Sequence, residues 1–171
     1  MPYGGLTECE TMTFDARAFR TALGSFPTGV AVITTAASAE HHLGITVNSF
    51  TSVSLDPPLV LWCVDRKSDR YQVFTKARSY TVNILGTEHQ DVSSRLARQG
   101  SHSLDGIALV PTRLGPPALA NAHAVFECEA QAVHEAGDHA ILIGKVLRFA
   151  RHEDGAPLVF YRGKYGALAQ A

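Results

Sequence analysis

From Ala124 to Val133 the chain reads AVFECEAQAV, and its side chains alternate. Ala124, Phe126, Cys128, Ala130 and Ala132 fall on one side, with Val125, Glu127, Glu129, Gln131 and Val133 on the other. A period of two belongs to a β-strand with one wet face, since a helix does not place residues i and i+2 on one side. Gly137 and Asp138 then stand where a tight turn is needed, and AILIGKVLRFA carries the apolar pattern on to Ala150. The two segments predict a long antiparallel hairpin whose loop holds His139 near its end.

Further strand candidates surround it. GVAVITT (Gly29 to Thr35) is rich in β-branched residues, and the polar turn ASAEHH separates it from a second run starting at Gly44. PLVLWCV, SYTVNIL and the closing PLVFYRGKY are apolar enough to be strands as well. A first helix is expected after Thr13, which can cap it; Asp15 lies in its first turn, and Phe19, Ala22, Leu23 and Phe26 recur at helical spacing up to Pro27. That helix should cover a core edge. SDRYQVFTKA and EHQDVSSRLARQ are further helix candidates, the second with Val92 and Leu96 facing inward. The Pro-rich LVPTRLGPPALANA should hold no regular structure before Ala122. Six or seven strands, two or three covering helices and no repeated βαβ unit imply a mainly β, closed or nearly closed antiparallel barrel. Residues 1–12 read as a flexible leader and 13–171 as a single domain.

Several functional classes are disfavoured by composition and motif. Fifteen basic against sixteen acidic residues give a formal charge of −1, with no Lys/Arg run to follow a phosphate backbone, so nucleic acid is not expected. The start MPYGGLTECETMTF has neither a basic nor an apolar targeting region, and no stretch reaches the ~18 apolar residues of a spanning helix, so a soluble cytoplasmic protein is expected, with no membrane contact. Three widely spaced cysteines, Cys9, Cys63 and Cys128, fit reduced thiols. Sequence marks of Rossmann, P-loop, hydrolase-elbow and zincin sites are absent. The eight histidines include the adjacent His41 and His42, and His134 and His139 flanking one turn, without a third ligand nearby; no metal is expected.

The stretch GITVNSFTSVSLDPPLVLWC is different. Thr46 and Asn48 point to one side of its strand and Ile45 and Val47 to the other, while Ser49, Thr51, Ser52 and Ser54 extend the polar supply towards Asp56. Such a face can grip an uncharged polar ring edge, and Gly44 would let a flat ligand approach the backbone. Thr and Ser also simply suit strands. DRKSDRYQ opens a helix with Lys67, Ser68 and Arg70 placed to hold a phosphate, and Arg95 can add a charged contact. Asp138 and His139 stand at a barrel lip. Tyr161, Arg162 and Tyr165 gather in FYRGKY, where an aromatic and a guanidinium can receive a nicotinamide and its phosphates.

Together, FRTALGSFPTGVAVITT, GITVNSFTSVSLDPPLVLWC, AGDHAILIGKV and PLVFYRGKY resemble the flavin reductase family, the small reductase components of two-component flavin-dependent monooxygenases. The resemblance runs from Phe14 to Tyr165. It implies a split, Greek-key type β-barrel that binds FMN or FAD, forms a homodimer, takes hydride from NADH or NADPH, and passes reduced flavin to a separate monooxygenase. By resemblance, Gly44, Ile45, Thr46, Asn48 and Ser49 lie along the isoalloxazine, with Cys63, Val64 and Asp65 beside it. Lys67, Ser68, Arg70 and Arg95 match phosphate-side positions. His139, the candidate catalytic residue, and Phe160, Tyr161, Arg162 and Gly163 match the nicotinamide side. Asp69 departs from the family pattern, since a carboxylate there would repel the flavin phosphate. A non-catalytic flavin- or haem-binding barrel is the alternative. An oxidase acting on pyridoxamine phosphate is a further rival, but the basic substrate pocket that it needs is not found.

Overall fold

The structure, a computed structural model, describes residues 15–38, 41–152 and 155–168. In chain order the elements are α1 (Ala16–Leu23), β1 (Thr28–Gly29), β2 (Ala31–Ala36), β3 (His42–Val47), β4 (Thr51–Leu55), β5 (Pro58–Asp65), α2 (Tyr71–Lys76) and β6 (Ser79–Ile84). They continue with α3 (Gln90–Leu96), β7 (Leu109–Val110), β8 (Ala118–Leu119), β9 (Ala124–Ala136), β10 (His139–Arg151), β11 (Val159–Tyr161) and β12 (Lys164–Gly166). No helix among the described residues is long and apolar enough to cross a membrane.

One antiparallel sheet of seven strands dominates, in the order β3-β2-β6-β9-β10-β5-β4. The hairpin read from the period-two pattern is its centre: β9 and β10 pair from His139↔Ala136 to Arg151↔Ala124. Gly137 takes a φ of 63° in the intervening turn, a left-handed conformation that costs glycine little. The strand after β3 leaves the sheet at Asn48 and returns as β4, so the sheet's two edge strands are consecutive in the chain. The resulting shape is a barrel split between its edges: the β4 ladder ends at Leu61, and beyond it the last part of β5 faces β3 without a strand between them.

Two cores result. β2 alternates between them, Ala31 and Ile33 facing the barrel interior and Val32 facing α3, which is why every residue from Ala31 to Thr35 is buried. Inside the barrel Trp62 meets Phe74 and Tyr80 edge-on, at ring-centroid distances of 5.1 and 5.7 Å. Outside, Leu85, Leu96, Leu104 and Leu158 pack α3 and the following loop against the sheet.

Four expectations need correction. The N-cap of α1 is Asp15, whose carboxylate accepts the Arg17 amide at 2.8 Å; Thr13 lies outside the described residues. The helix ends at Leu23, before Pro27, and buries none of its residues: Phe19 is 52%, Leu23 59% and the following Phe26 75% exposed. Its apolar stripe faces away from this chain's core. The Pro-rich segment is ordered, with β7 and β8 paired, because buried side chains of the sheet hold its carbonyls. Thr34 donates to Pro117 O and Thr81 to Pro116 O, both at 2.6 Å, and Asn83 accepts the Leu119 amide at 2.8 Å. Finally, PLVFYRGKY is not one strand. β11 and β12 form a small hairpin, turned at Arg162 and Gly163, and β11 also pairs with β1. Residues 1–12, expected to be a leader, lie outside the described residues.

Candidate functional site

The split in the barrel opens a cleft of about 400 Å³. No ladder joins β3 to β5 among the described residues, so backbone groups on β5 would be left without partners there. Ser49 fills the gap: its hydroxyl accepts the Cys63 amide at 2.9 Å and lies 3.4 Å from the Cys63 carbonyl. Ile45, Thr46 and Asn48 line one bank, and Cys63, Val64 and Asp65 the other. Lys67, Ser68 and Arg70 close one end, and His139 stands at the lip. Eleven of the residues singled out from sequence therefore surround one cavity.

Their directions differ from expectation. Thr46 donates to the Ser93 carbonyl at 2.7 Å, tying β3 to α3. Asn48 is exposed, and its amide has no hydrogen-bond partner among the described residues. Gly44 does not line the cleft. A methyl group added there would stand 2.8 Å from Leu104 and 2.9 Å from Leu96, so the close packing of β3 under α3 favours glycine, and any larger residue would have to push these two side chains aside. Thr51, Ser52 and Ser54 lie on β4, away from the cavity.

The phosphate-side group divides. Arg70 is 3% exposed and donates to the carbonyls of Leu96, at 2.6 Å, and of Arg98. Its guanidinium is committed to the frame. Arg95 points out of the cleft and donates to Ser103 O at 2.8 Å and Asp105 O at 3.0 Å, pinning the loop after α3. Lys67 is exposed at the cleft with no ion pair among the described residues. Asp69 lines the cavity too. Burial alone would raise its carboxyl, but the Gly100 amide, Arg70 and His102 together hold it below the usual carboxylate range.

At the lip, His139 Nδ1 lies 2.7 Å from Oδ1 of Asp138. The hydrogen bond and the charge of His139 hold the Asp138 carboxyl below its ordinary range. With Nδ1–H donating, Nε2 is left as the ring's other polar atom. Burial raises the Cys63 thiol, with a Ser49 hydrogen bond acting against it.

The nicotinamide-side group also divides. Phe160 borders an apolar recess of about 170 Å³ that shares Thr46, Val47, Asn48 and Ala97 with the cleft. Tyr165 completes it, stacked edge-on to Phe160 at 5.4 Å and held at its hydroxyl by Ser93 at 2.8 Å. Tyr161 and Arg162 border a second groove with Ser25 and Pro27, which meets the recess at Tyr165, the guanidinium lying 5.1 Å from the centre of the Tyr161 ring. Gly163 serves the β11–β12 turn. The residues that the sequence reading missed are Val47, Ala97 and Gln99, which carry no chemical signature, and Asp69, which was noted only as a departure.

Over residues 23–169 the chain matches the family described as flavin reductase like domain. It is 43% identical over 156 residues to an FMN reductase (NADH) of Agrobacterium fabrum, covering 91% of this chain and 88% of that protein. The reductase subunit of a flavin-dependent monooxygenase of Rhodococcus jostii is 36% identical over 90% of this chain and 78% of its own length. Two relatives from Rhizobium meliloti are longer, and the chain spans 44% and 59% of them. The solved NADH:FAD oxidoreductase of Streptomyces globisporus, in complex with NAD and FAD fragments, superposes with a TM-score of 0.88 at 32% identity, over 96% of this chain and 98% of that one.

Proposed function

The chain belongs to the flavin reductase family, and from that premise we propose that it is an NAD(P)H-dependent flavin oxidoreductase whose flavin site is the split between β3 and β5. The observation that carries this is the donor set of the cleft. It offers the Asn48 side-chain amide, which has no hydrogen-bond partner among the described residues, the half-buried Cys63 and exposed Ala97 as apolar wall, and the exposed cation Lys67 at one end. A flavin has a matching make-up: an apolar ring body, a neutral polar edge and an anionic tail. The residues fit the group.

When bound, flavin and nicotinamide supply the hydride chemistry between them, and the protein contributes binding, orientation and exclusion of water. Asn48 binds the polar edge, Ser49 joins one bank to the other at Cys63, Thr46 fixes β3 against α3, and Lys67 neutralises the phosphate end. His139, oriented by Asp138, holds the dinucleotide at the lip. Phe160 and Tyr165 provide the apolar recess that continues the cleft.

We further infer a homodimer, with the exposed stripe of α1 in the interface, a separate monooxygenase as consumer of reduced flavin, a cytoplasmic setting, and one domain over 13–171. Initial rates with FMN or FAD against NADH or NADPH test the activity. Flavin-dependent nicotinamide oxidation is expected; tight flavin colour without turnover would leave a binding protein instead.

A further inference from the structure

Asp69 borders the cleft beside Lys67 and Ser68, where its charge should oppose an anionic ligand. Its oxygens are engaged elsewhere. Oδ2 accepts the Gly100 amide at 2.7 Å and lies 3.5 Å from His102 Nδ1, while Oδ1 accepts Nε of Arg70 at 3.1 Å. Arg70 in turn holds the carbonyls of Leu96 and Arg98. One carboxylate thereby ties the start of α2 to the end of α3 and the turn beyond it. Between those anchors Ala97 and Gln99 form part of the cleft wall.

We propose that Asp69 is a positioning residue for the ligand's anionic end: held by Gly100 and Arg70, its carboxylate fixes the turn after α3 so that Ala97 and Gln99 stay in the cleft wall. The ligand's identity rests on the flavin reading above; the latch itself does not. Its charge is compensated inside the protein. Arg70 is almost wholly buried and unpaired but for this carboxylate among the described residues, so the two form a nearly neutral unit that does not repel a phosphate.

Two views of Asp69 then predict opposite signs. A carboxylate that simply faced the ligand would weaken binding, and its removal would tighten it. A latch that sets the wall would loosen binding when removed. The test uses full-length Asp69→Ala and Asp69→Asn, titrated with FMN and with riboflavin, which lacks the phosphate. Amide exchange at Gly100 is followed in ligand-free protein.

For Asp69→Ala, Gly100 exchange should accelerate and the Kd for FMN rise roughly tenfold, the scale of a lost charge-assisted hydrogen bond. Riboflavin should lose much less, and the KM for NADH should hold. Asp69→Asn, which keeps an acceptor for Gly100, should lie between wild type and the alanine variant. Tighter or unchanged FMN binding in Asp69→Asn overturns the proposal even where the alanine variant fails to fold. An unchanged Gly100 exchange rate in a folded alanine variant overturns it as well. Wild-type protein that takes up no flavin, with Gly100 still protected through Asp69, overturns the flavin reading and the positioning role with it, leaving only a fold contact.

Discussion

Replacing Ser49 by alanine separates the two roles open to that side chain, closing the barrel seam or gripping the ligand. In the structure its hydroxyl is the partner of the Cys63 amide at 2.9 Å, and the return contact to the Cys63 carbonyl is long, at 3.4 Å. Alanine leaves a partly buried amide unpaired, which costs about 1–2 kcal/mol, the long contact adding little. For a chain of 171 residues each kcal/mol corresponds to about 2–4 °C, so Tm should fall by about 2–8 °C. Thermal unfolding by circular dichroism measures this, and amide exchange at Cys63 locates it. Ser49→Thr, which keeps the hydroxyl, should recover most of the loss. The opposite pattern, weaker flavin binding with Tm and Cys63 protection intact, would falsify the seam assignment and return the hydroxyl to the ligand.

Arg70→Met should cost about 1–3 kcal/mol in urea unfolding, because the Leu96 and Arg98 carbonyls lose their buried donor, the ion pair with the more exposed Asp69 adding little; unchanged stability would free Arg70 for the ligand. His139→Ala should raise the KM for the nicotinamide or slow anaerobic flavin reduction in stopped flow while flavin affinity holds, and wild-type values in both would remove His139 from the site. In that variant the Asp138 carboxyl, depressed chiefly by its hydrogen bond to His139 and by the His139 charge, should titrate at higher pH than in the wild type when followed by carboxyl carbon NMR, with Lys67 still holding it down in part. The sign follows from the depression: the turn's stabilisation by this pair is present above the ordinary carboxylate pKa and lost as pH falls through the lowered one. Burial pushes the Cys128 thiol up to about 12, so thiol reagents at pH 8 should leave it unmodified until the protein unfolds.

The strands of the barrel were legible because their signal is local: alternation in β9, β-branched density in β2, and a turn glycine before β10 are each visible within a few residues. The order of the Pro-rich segment was not legible, since Thr34, Thr81 and Asn83, which hold it, sit on other strands. The apolar stripe of α1 could be read from spacing, but spacing does not say which surface it faces, and in the structure Leu23 and Phe26 stay exposed instead of packing on the barrel core. The same distinction governs the site. Sequence identifies residue type and neighbourhood, which is enough to nominate Asn48, Lys67 and His139; it does not give direction, so Arg70 and Arg95 read as ligand contacts by type, whereas in the structure they bind carbonyls. Ala97 and Gln99 had no signal, their place being fixed by bonds from Arg70 and Asp69.

A cleft formed where a β-ladder is missing needs side chains to satisfy the backbone groups that the missing strand pairing leaves. Polar residues concentrate at such a place for two reasons at once, and composition cannot separate them. In the run from Thr46 to Ser49 the separation is made by pleat and bend. Thr46 turns to the Ser93 carbonyl and Ser49 to Cys63, both serving the frame, while Asn48 between them leaves the sheet with its amide unclaimed. The frame residues determine how far apart the banks stand, and the unclaimed amide determines what they can hold. Loss of either should weaken flavin binding, but only loss of the frame should also appear in the unfolding curve and in exchange at Cys63.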